Sequence, residues 1–189
     1  MSTQSWRETA DSLAYMSRDL LAQDTGERTL ERLVEHAREI VDGCEHAGIL
    51  LVHGNQRVET PAATSDLVVE SDRLQGELGE GPCFDAVVHN QSVYRLIDLN
   101  QRVTSWPRYA PEARKLGIAS MMGLQLYTAA DTYAALDVYS SQPQAFTEHA
   151  EHVGWLLSSH AAVAVAATRP RSQQHPALQA RSDTAERLR

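Results

Sequence analysis

Leu78-Gly79-Glu80-Gly81-Pro82-Cys83-Phe84-Asp85-Ala86 is the segment around which the rest of this sequence arranges itself. Two glycines one residue apart supply positions for positive φ and for close approach of another group to the backbone. Pro82 suits the first position of a helix, because its missing N–H would have no intrahelical partner and its φ is already near the helical value. Cys83 then falls in a first helical turn, where free N–H groups and the macrodipole favour an anion or a polar ligand atom and lower the pKa of a nearby thiol. Glu80 opposes both effects with its negative charge. These residues leave two readings open: a ligand-facing turn, or a plain loop-to-helix connection that holds a buried, inert cysteine.

Working outward, the segment before the turn reads as a helix capped by Thr64 or Ser65 that carries Leu67, Ser71, Leu74 and Leu78 on one side. Before it, His46 to Val52 and Arg57 to Thr60 form a hairpin across Gly54-Asn55-Gln56, ended by Pro61. Two amphipathic helices come first. Trp6, Leu13, Met16 and Leu20 stripe the one from about Ser5 to Gln23. Leu30, Leu33, Val34, Ala37, Ile40 and Val41 stripe the next, from the cap-like Asp24-Thr25-Gly26-Glu27 to Gly43. The first is either spare to the domain's core, and free to pair with a partner's copy, or packed on its own domain.

Beyond the turn, a short helix holds Phe84, Val87 and Val88, and Val93 to Leu99 reads as a strand. Trp106-Pro107-Arg108-Tyr109 marks a loop, Pro111 opens a short helix and Gly117 closes it. Ser120 to Tyr127 and Tyr133 to Tyr139 read as strands turning at Ala130-Asp131. The last helix, Thr147 to about Thr168, is apolar nearly all round, so it is expected to be sandwiched or buried in an oligomer. The expected organisation is an N-terminal helix over 1–24, a domain over 25–168 and a tail over 169–189.

The chain of 189 residues is long enough for one core. Two cysteines, Cys44 and Cys83, are too few for a disulfide framework, and no apolar run is long enough to span a bilayer, so a cytoplasmic location without membrane contact is expected. The net charge is −8; five arginines against Asp183 and Glu186 leave the tail at +3 and the rest at −11, which should repel nucleic acid.

Several blocks together resemble the GAF domain of bacterial GAF-ANTAR regulators. They are Gly43-Cys44-Glu45-His46-Ala47-Gly48-Ile49, Glu59-Thr60-Pro61-Ala62-Ala63-Thr64, Leu74-Gln75 followed by Glu77 to Cys83, Trp106-Pro107, Ala135-Leu136-Asp137-Val138-Tyr139-Ser140, and His160-Ala161-Ala162-Val163-Ala164. The resemblance runs from about Thr29 to Ala167. It implies an α+β fold: an antiparallel sheet with helices on one face and a small-molecule pocket on the other, roofed by the glycine turn. It also implies a non-enzymatic sensory domain acting in signal transduction or transcription antitermination. The family's RNA-binding output module needs more than twice the roughly twenty residues after Thr168. RNA contact is therefore not expected: either the chain signals through a separate output protein, or the sequence is a shortened form of such a regulator.

The expected ligand residues are Gly79, Glu80, Gly81 and Cys83 in the roof, Trp106 and Tyr109 at the rim, and Met121 and Tyr139 along the central strands. Met122 and Tyr127 lie on the same two strands, and core packing explains all four strand residues equally well. The ligand is not identified. Ser140-Ser141 before Phe146 departs from the cyclic-nucleotide pattern, Phe84 after Cys83 departs from the bilin pattern, and no histidine lies between Asn90 and Phe146 to serve a haem. His149 and His152 lack a third metal ligand in reach, and the many Asp and Glu form no carboxylate pair that spacing can place. Two alternatives remain: a thiol redox switch or catalyst centred on Cys83, and a ligand-free dimeric scaffold. A homodimer through the terminal helices is expected in either sensory or scaffold form.

Overall fold

Alternating side chains on three central strands divide the molecule into two cores. The computed structural model describes residues 3–53, 57–88, 93–96, 98–99, 105–129 and 132–167. Strands β1 (His46–His53), β2 (Val58–Ala63), β3 (Val93–Leu96), β4 (Ser120–Ala129) and β5 (Thr132–Ser140) form one sheet in the order β2-β1-β5-β4-β3, every neighbour antiparallel. Successive residues of a strand face opposite sides. Ala47 and Ile49 of β1, Met122 and Leu124 of β4, and Leu136 and Val138 of β5 therefore share one core, while Leu50, Val52, Met121, Ala135 and Tyr139 share the other.

The first core is covered by α1 (Thr3–Leu21), α2 (Gly26–Ile40) and α6 (Glu148–Ala167). Thr25 caps α2, its hydroxyl accepting the Arg28 N–H at 3.2 Å. α1 packs on its own domain: Leu13, Met16 and Leu20 are buried against α2 and α6, while Trp6, the first residue of the stripe, stays exposed. Asp19 of α1 also accepts from Arg32 at 2.8 Å and bonds the buried His36 ring at 2.7 Å. The outer face of α6 behaves differently. Trp155 is 49% exposed and Val163 68%, so the all-round apolar helix is sandwiched on one side only.

The second core lies under α3 (Asp66–Leu78), α4 (Pro82–Val88) and α5 (Tyr109–Lys115). Two boundaries differ from the expected ones for identifiable reasons. Pro61 does not end β2, which runs on to Ala63; β2 is an edge strand, and Pro61 lies where the ladder to β1 shifts register, so its missing N–H breaks no bond. The helix expected to open at Pro111 begins at Tyr109, because a distant carboxylate caps it. β3 is described as far as Leu96 and was expected to reach Leu99; Ile97 and the expected turn at Ala130-Asp131 lie outside the described residues.

Candidate functional site

Between α3 and α4 the chain makes the glycine turn, and each glycine has a separate reason. Gly79 is left-handed, with φ +60°, and ends α3, its N–H returning to the Gln75 carbonyl. Gly81 has φ +138°, and a Cβ there would collide with the Gln75 side chain. That side chain is committed: its Oε1 accepts the N–H groups of Cys83 and Phe84 at 3.0 and 3.2 Å, satisfying the start of α4. Pro82 is the first residue of α4, as its fixed φ suggests.

Two latches hold this turn to the loop before α5. The Glu80 carboxylate accepts the backbone N–H groups of Arg108 and Tyr109 at 2.8 and 3.1 Å and the Arg108 Nε at 2.7 Å, while the Arg108 guanidinium also donates to the Leu78 carbonyl. Burial works to raise the Glu80 pKa, but these donors outweigh it and hold the carboxyl below its usual range. The second latch is the Trp106 indole N–H, which donates to Asp85 Oδ2 at 2.8 Å.

Beneath the roof lies a buried polar network. Asp72 of α3 accepts from the Tyr139 hydroxyl at 2.8 Å and from Thr60 at 2.9 Å. Ser71 bonds the Tyr109 hydroxyl at 2.7 Å and lies 3.3 Å from that of Tyr139. The Tyr109 hydroxyl in turn reaches the Met121 sulfur at 3.3 Å. Asp137 of β5 is fully buried in the same place, and neither of its carboxylate oxygens has a hydrogen-bond partner. Asp72, Cys83 and Tyr139 lie close enough to shift its proton affinity through hydrogen-bonding contact as well as charge, although no donor reaches either oxygen in full hydrogen-bond geometry.

Burial dominates the electrostatics. It raises the Asp72 carboxyl to about 6, against the opposing hydrogen bonds from Tyr139 and Thr60. It raises Asp137 well above the carboxylate range, and the neighbouring Asp72 charge adds to the effect. The Tyr109 and Tyr139 hydroxyls also rise with burial.

Of the residues expected at a ligand site, Cys83, Trp106, Tyr109, Met121 and Tyr139 come together in the second core, under the turn bearing Gly79, Glu80 and Gly81. Met122 does not join them: it faces the helical core on the other side of the sheet, and the Tyr127 side chain lies outside the described residues. Two expectations need correction. Trp106 and Tyr109 do not form a rim. Trp106 is 6% exposed and Tyr109 fully buried, because the indole N–H and the phenol O–H both find partners inside. Cys83 does occupy a first helical turn, but its thiol pKa goes up, driven by burial and then by the charges of Asp137 and Asp72, so the helix terminus does not activate it. Cys44 is likewise pushed up to about 12 by burial.

Sequence reasoning passed over Asp72, Asp137, Ser71 and Gln75. The available signal was an acid at the centre of the apolar strand Ala134-Ala135-Leu136-Asp137-Val138-Tyr139, where burial demands a reason. Among the described residues no group of three or more His, Cys, Asp or Glu side chains could hold a metal, and no helix is long and apolar enough to cross a membrane.

The arrangement has counterparts of known structure. The GAF domain of Acinetobacter phosphoenolpyruvate-protein phosphotransferase superposes with a TM-score of 0.61 at 19% identity, over 88% of this chain and 95% of that one. The chromophore-binding domain of a bacteriophytochrome from R. palustris gives 0.63 at 10% identity, over 86% and 62%. The free methionine-R-sulfoxide reductase of Neisseria meningitidis, solved with its substrate, gives 0.60 at 13% identity, over 89% and 94%. At such identities the likeness is one of fold, and it includes an enzyme among its members. A search of curated proteins finds no match to the sequence. The sequence model of the GAF domain matches residues 24–166, which takes in every strand of the sheet and the whole roof but not α1, and the chain therefore belongs to the GAF domain family.

Proposed function

We propose that this chain is a non-enzymatic sensory domain that binds a small molecule beneath the roof made by Gly79–Cys83 and Trp106–Tyr109. Membership of the GAF family supports a sensory, ligand-binding role in regulation. The observation that carries the reading is Asp137: a fully buried carboxylate without a partner has no place in a core selected for packing alone, and is accounted for by something that binds there. The double latch of Glu80–Arg108 and Trp106–Asp85 supplies a cover that can open without unfolding the sheet. Binding would alter how the sheet seats α1 and α6, and a homodimer through these terminal helices would read the change. The exposed Trp155 and Val163 on α6 support that interface. In the cell the domain would act in the cytoplasm like the GAF part of GAF-ANTAR antitermination regulators.

Native mass spectrometry of the untagged protein tests this directly. A dimer carrying an adduct that is lost on denaturation is the expected result; a bare chain, with no adduct after extraction from its host, would count against a resident ligand.

A second reading, the ligand-free dimeric scaffold, has one observation in its favour. Tyr109, Tyr139 and Met121 are fully buried and fill the space under the roof. It leaves the orphaned Asp137 without a reason, and so ranks second. The thiol switch ranks below both, because burial suppresses the Cys83 thiolate.

A further inference from the structure

Asp137 stands in a row that crosses the sheet. Its register partners are Gly48 on β1 and Gly123 on β4. A Cβ at Gly48 would strike Val68 of α3, and one at Gly123 would come within 2.9 Å of the Cys83 Cα on α4. The two glycines thus let both helices settle onto the sheet on either side of the aspartate. Asp137 points up between them into the polar network, and its carboxylate is the one place in that network where acceptors go unused.

An inventory of nearby hydrogens explains why. The Tyr139 hydroxyl is spent on Asp72, the Gln75 amide reaches the Tyr139 oxygen at 3.5 Å, and the Cys83 thiol lies beside Asp137 and Gln75 as a weak donor that meets neither Asp137 oxygen in full hydrogen-bond geometry. The Ser71 and Tyr109 hydroxyls serve each other, Tyr139 and Met121. Both oxygens of Asp72 already accept a bond. The cluster is short of donors and holds two carboxyls, so what would complete it is a group with several N–H donors and a positive charge. Phe84, Trp106, Tyr109 and Tyr139 belong to the same core, and aromatic faces favour such a cation while matching an apolar body attached to it.

We infer that the site takes a small organic amine in its protonated form, the ammonium seated against Asp137 and Asp72 and its apolar substituent among the aromatic rings. This deepens the sensory reading and rests on it. The group is a primary ammonium on a compact carbon skeleton, since a neutral donor would bond the acids without compensating their charge, and an anion would be repelled by both.

The test uses the full chain and a matched series of probes: butylammonium and phenethylammonium chlorides beside butanol and 2-phenylethanol, followed by thermal unfolding and by titration calorimetry. The expected result is that an ammonium probe raises the wild-type unfolding midpoint and its alcohol does not. In Asp137→Asn the ammonium affinity should fall by roughly tenfold or more, the usual consequence of removing one partner of a buried charged pair. Alcohols that bind as well as the ammonium compounds, or an Asp137→Asn variant that binds them undiminished, would overturn the amine assignment while leaving a ligand site in place. If no ammonium probe binds, the assignment also falls; a bare native mass spectrum alongside would remove the sensory reading with it.

Discussion

At the scale of single residues, the conformation of Gly81 matters more than its size. Its φ of +138° is open to glycine and strained for any residue with a Cβ, and the space a Cβ would need is taken by Gln75. Gln75 cannot simply swing aside, because its Oε1 is what satisfies the first N–H groups of α4. Gly81→Ala should therefore cost about 1 to 3 kcal/mol, seen as a lower midpoint in urea unfolding with an unchanged slope. Gly79→Ala is the internal control. It also carries positive φ, but nothing lies within contact of its Cβ position, so its loss should be about 1 kcal/mol. Equal losses at the two glycines would mean that backbone strain alone, and not the seat of Gln75, sets the cost.

At the scale of elements, helices here are completed by residues from elsewhere in the chain. α5 begins at Tyr109 with Arg108 as its N-cap, and Arg108 offers no side-chain cap; the acceptor comes from Glu80, across the roof. Glu80→Gln should weaken this cap and the Arg108 pairing together, by about 1 kcal/mol, and hydrogen exchange should quicken at the α5 amides before it does at β4 or β5. Uniform acceleration over the whole chain would contradict a local latch. α1 depends on packing instead. Met16 is fully buried between helices, so Met16→Ala should cost about 2 to 5 kcal/mol, whereas a helix held only by a partner chain would tolerate it without loss in the monomer. Such contrasts explain what could be read from the amino acids alone. The order of helices and strands was legible because periodicity and glycine or proline punctuation are local signals. The start of α5, the run of β2 through Pro61 and the inward turn of Trp106 were not, since each depends on a partner distant in the chain: Glu80 for the helix, the β1 register for the strand, Asp85 for the indole.

At the scale of the whole molecule, the candidate site was half legible. The roof and its aromatic floor could be named from a motif, but the acids at its centre could not: Asp72 and Asp137 share no motif and meet only when α3 lies across the sheet. Their meeting should govern how stability changes with pH. Glu80, Asp19 and Glu45 have folded pKa values below their unfolded ones. Burial opposes the shift in each, but the shift comes from bonds with Arg108 and its neighbours for Glu80, with His36 and Arg32 for Asp19, and with Ser141 and Ser140 for Glu45. Their contribution is present above the unfolded pKa of about 4 and disappears as pH falls through the folded values. Asp72 and Asp137 have the opposite sign. Their folded pKa values are raised, so the folded state holds protons that the unfolded state releases, and the contribution present below about pH 4 is lost as pH rises through about 6 and beyond. The titratable neighbours facing this pair, Tyr139 on β5, Cys83 on α4 and Tyr109 on α5, are all pushed upward and stay neutral across that window, so none offsets it. Stability should accordingly peak on the acid side of neutrality, close above the unfolded carboxyl pKa of about 4, and decline from there through about pH 6, with Asp137 extending the decline to higher pH. Asp137→Asn removes the ionisation while keeping the shape, so it should match the wild type near pH 4 and exceed it at pH 8 by at least about 1 kcal/mol, the low end of what an uncompensated buried polar group costs. Chemical denaturation across that pH range measures both limbs. A difference that is flat with pH would mean that Asp137 titrates in the folded protein as it does in the unfolded chain, its burial offset by a partner found in solution. A difference that widens towards alkaline pH would mark the aspartate as a residue that weakens the fold, as expected where a binding group is retained against the interest of stability.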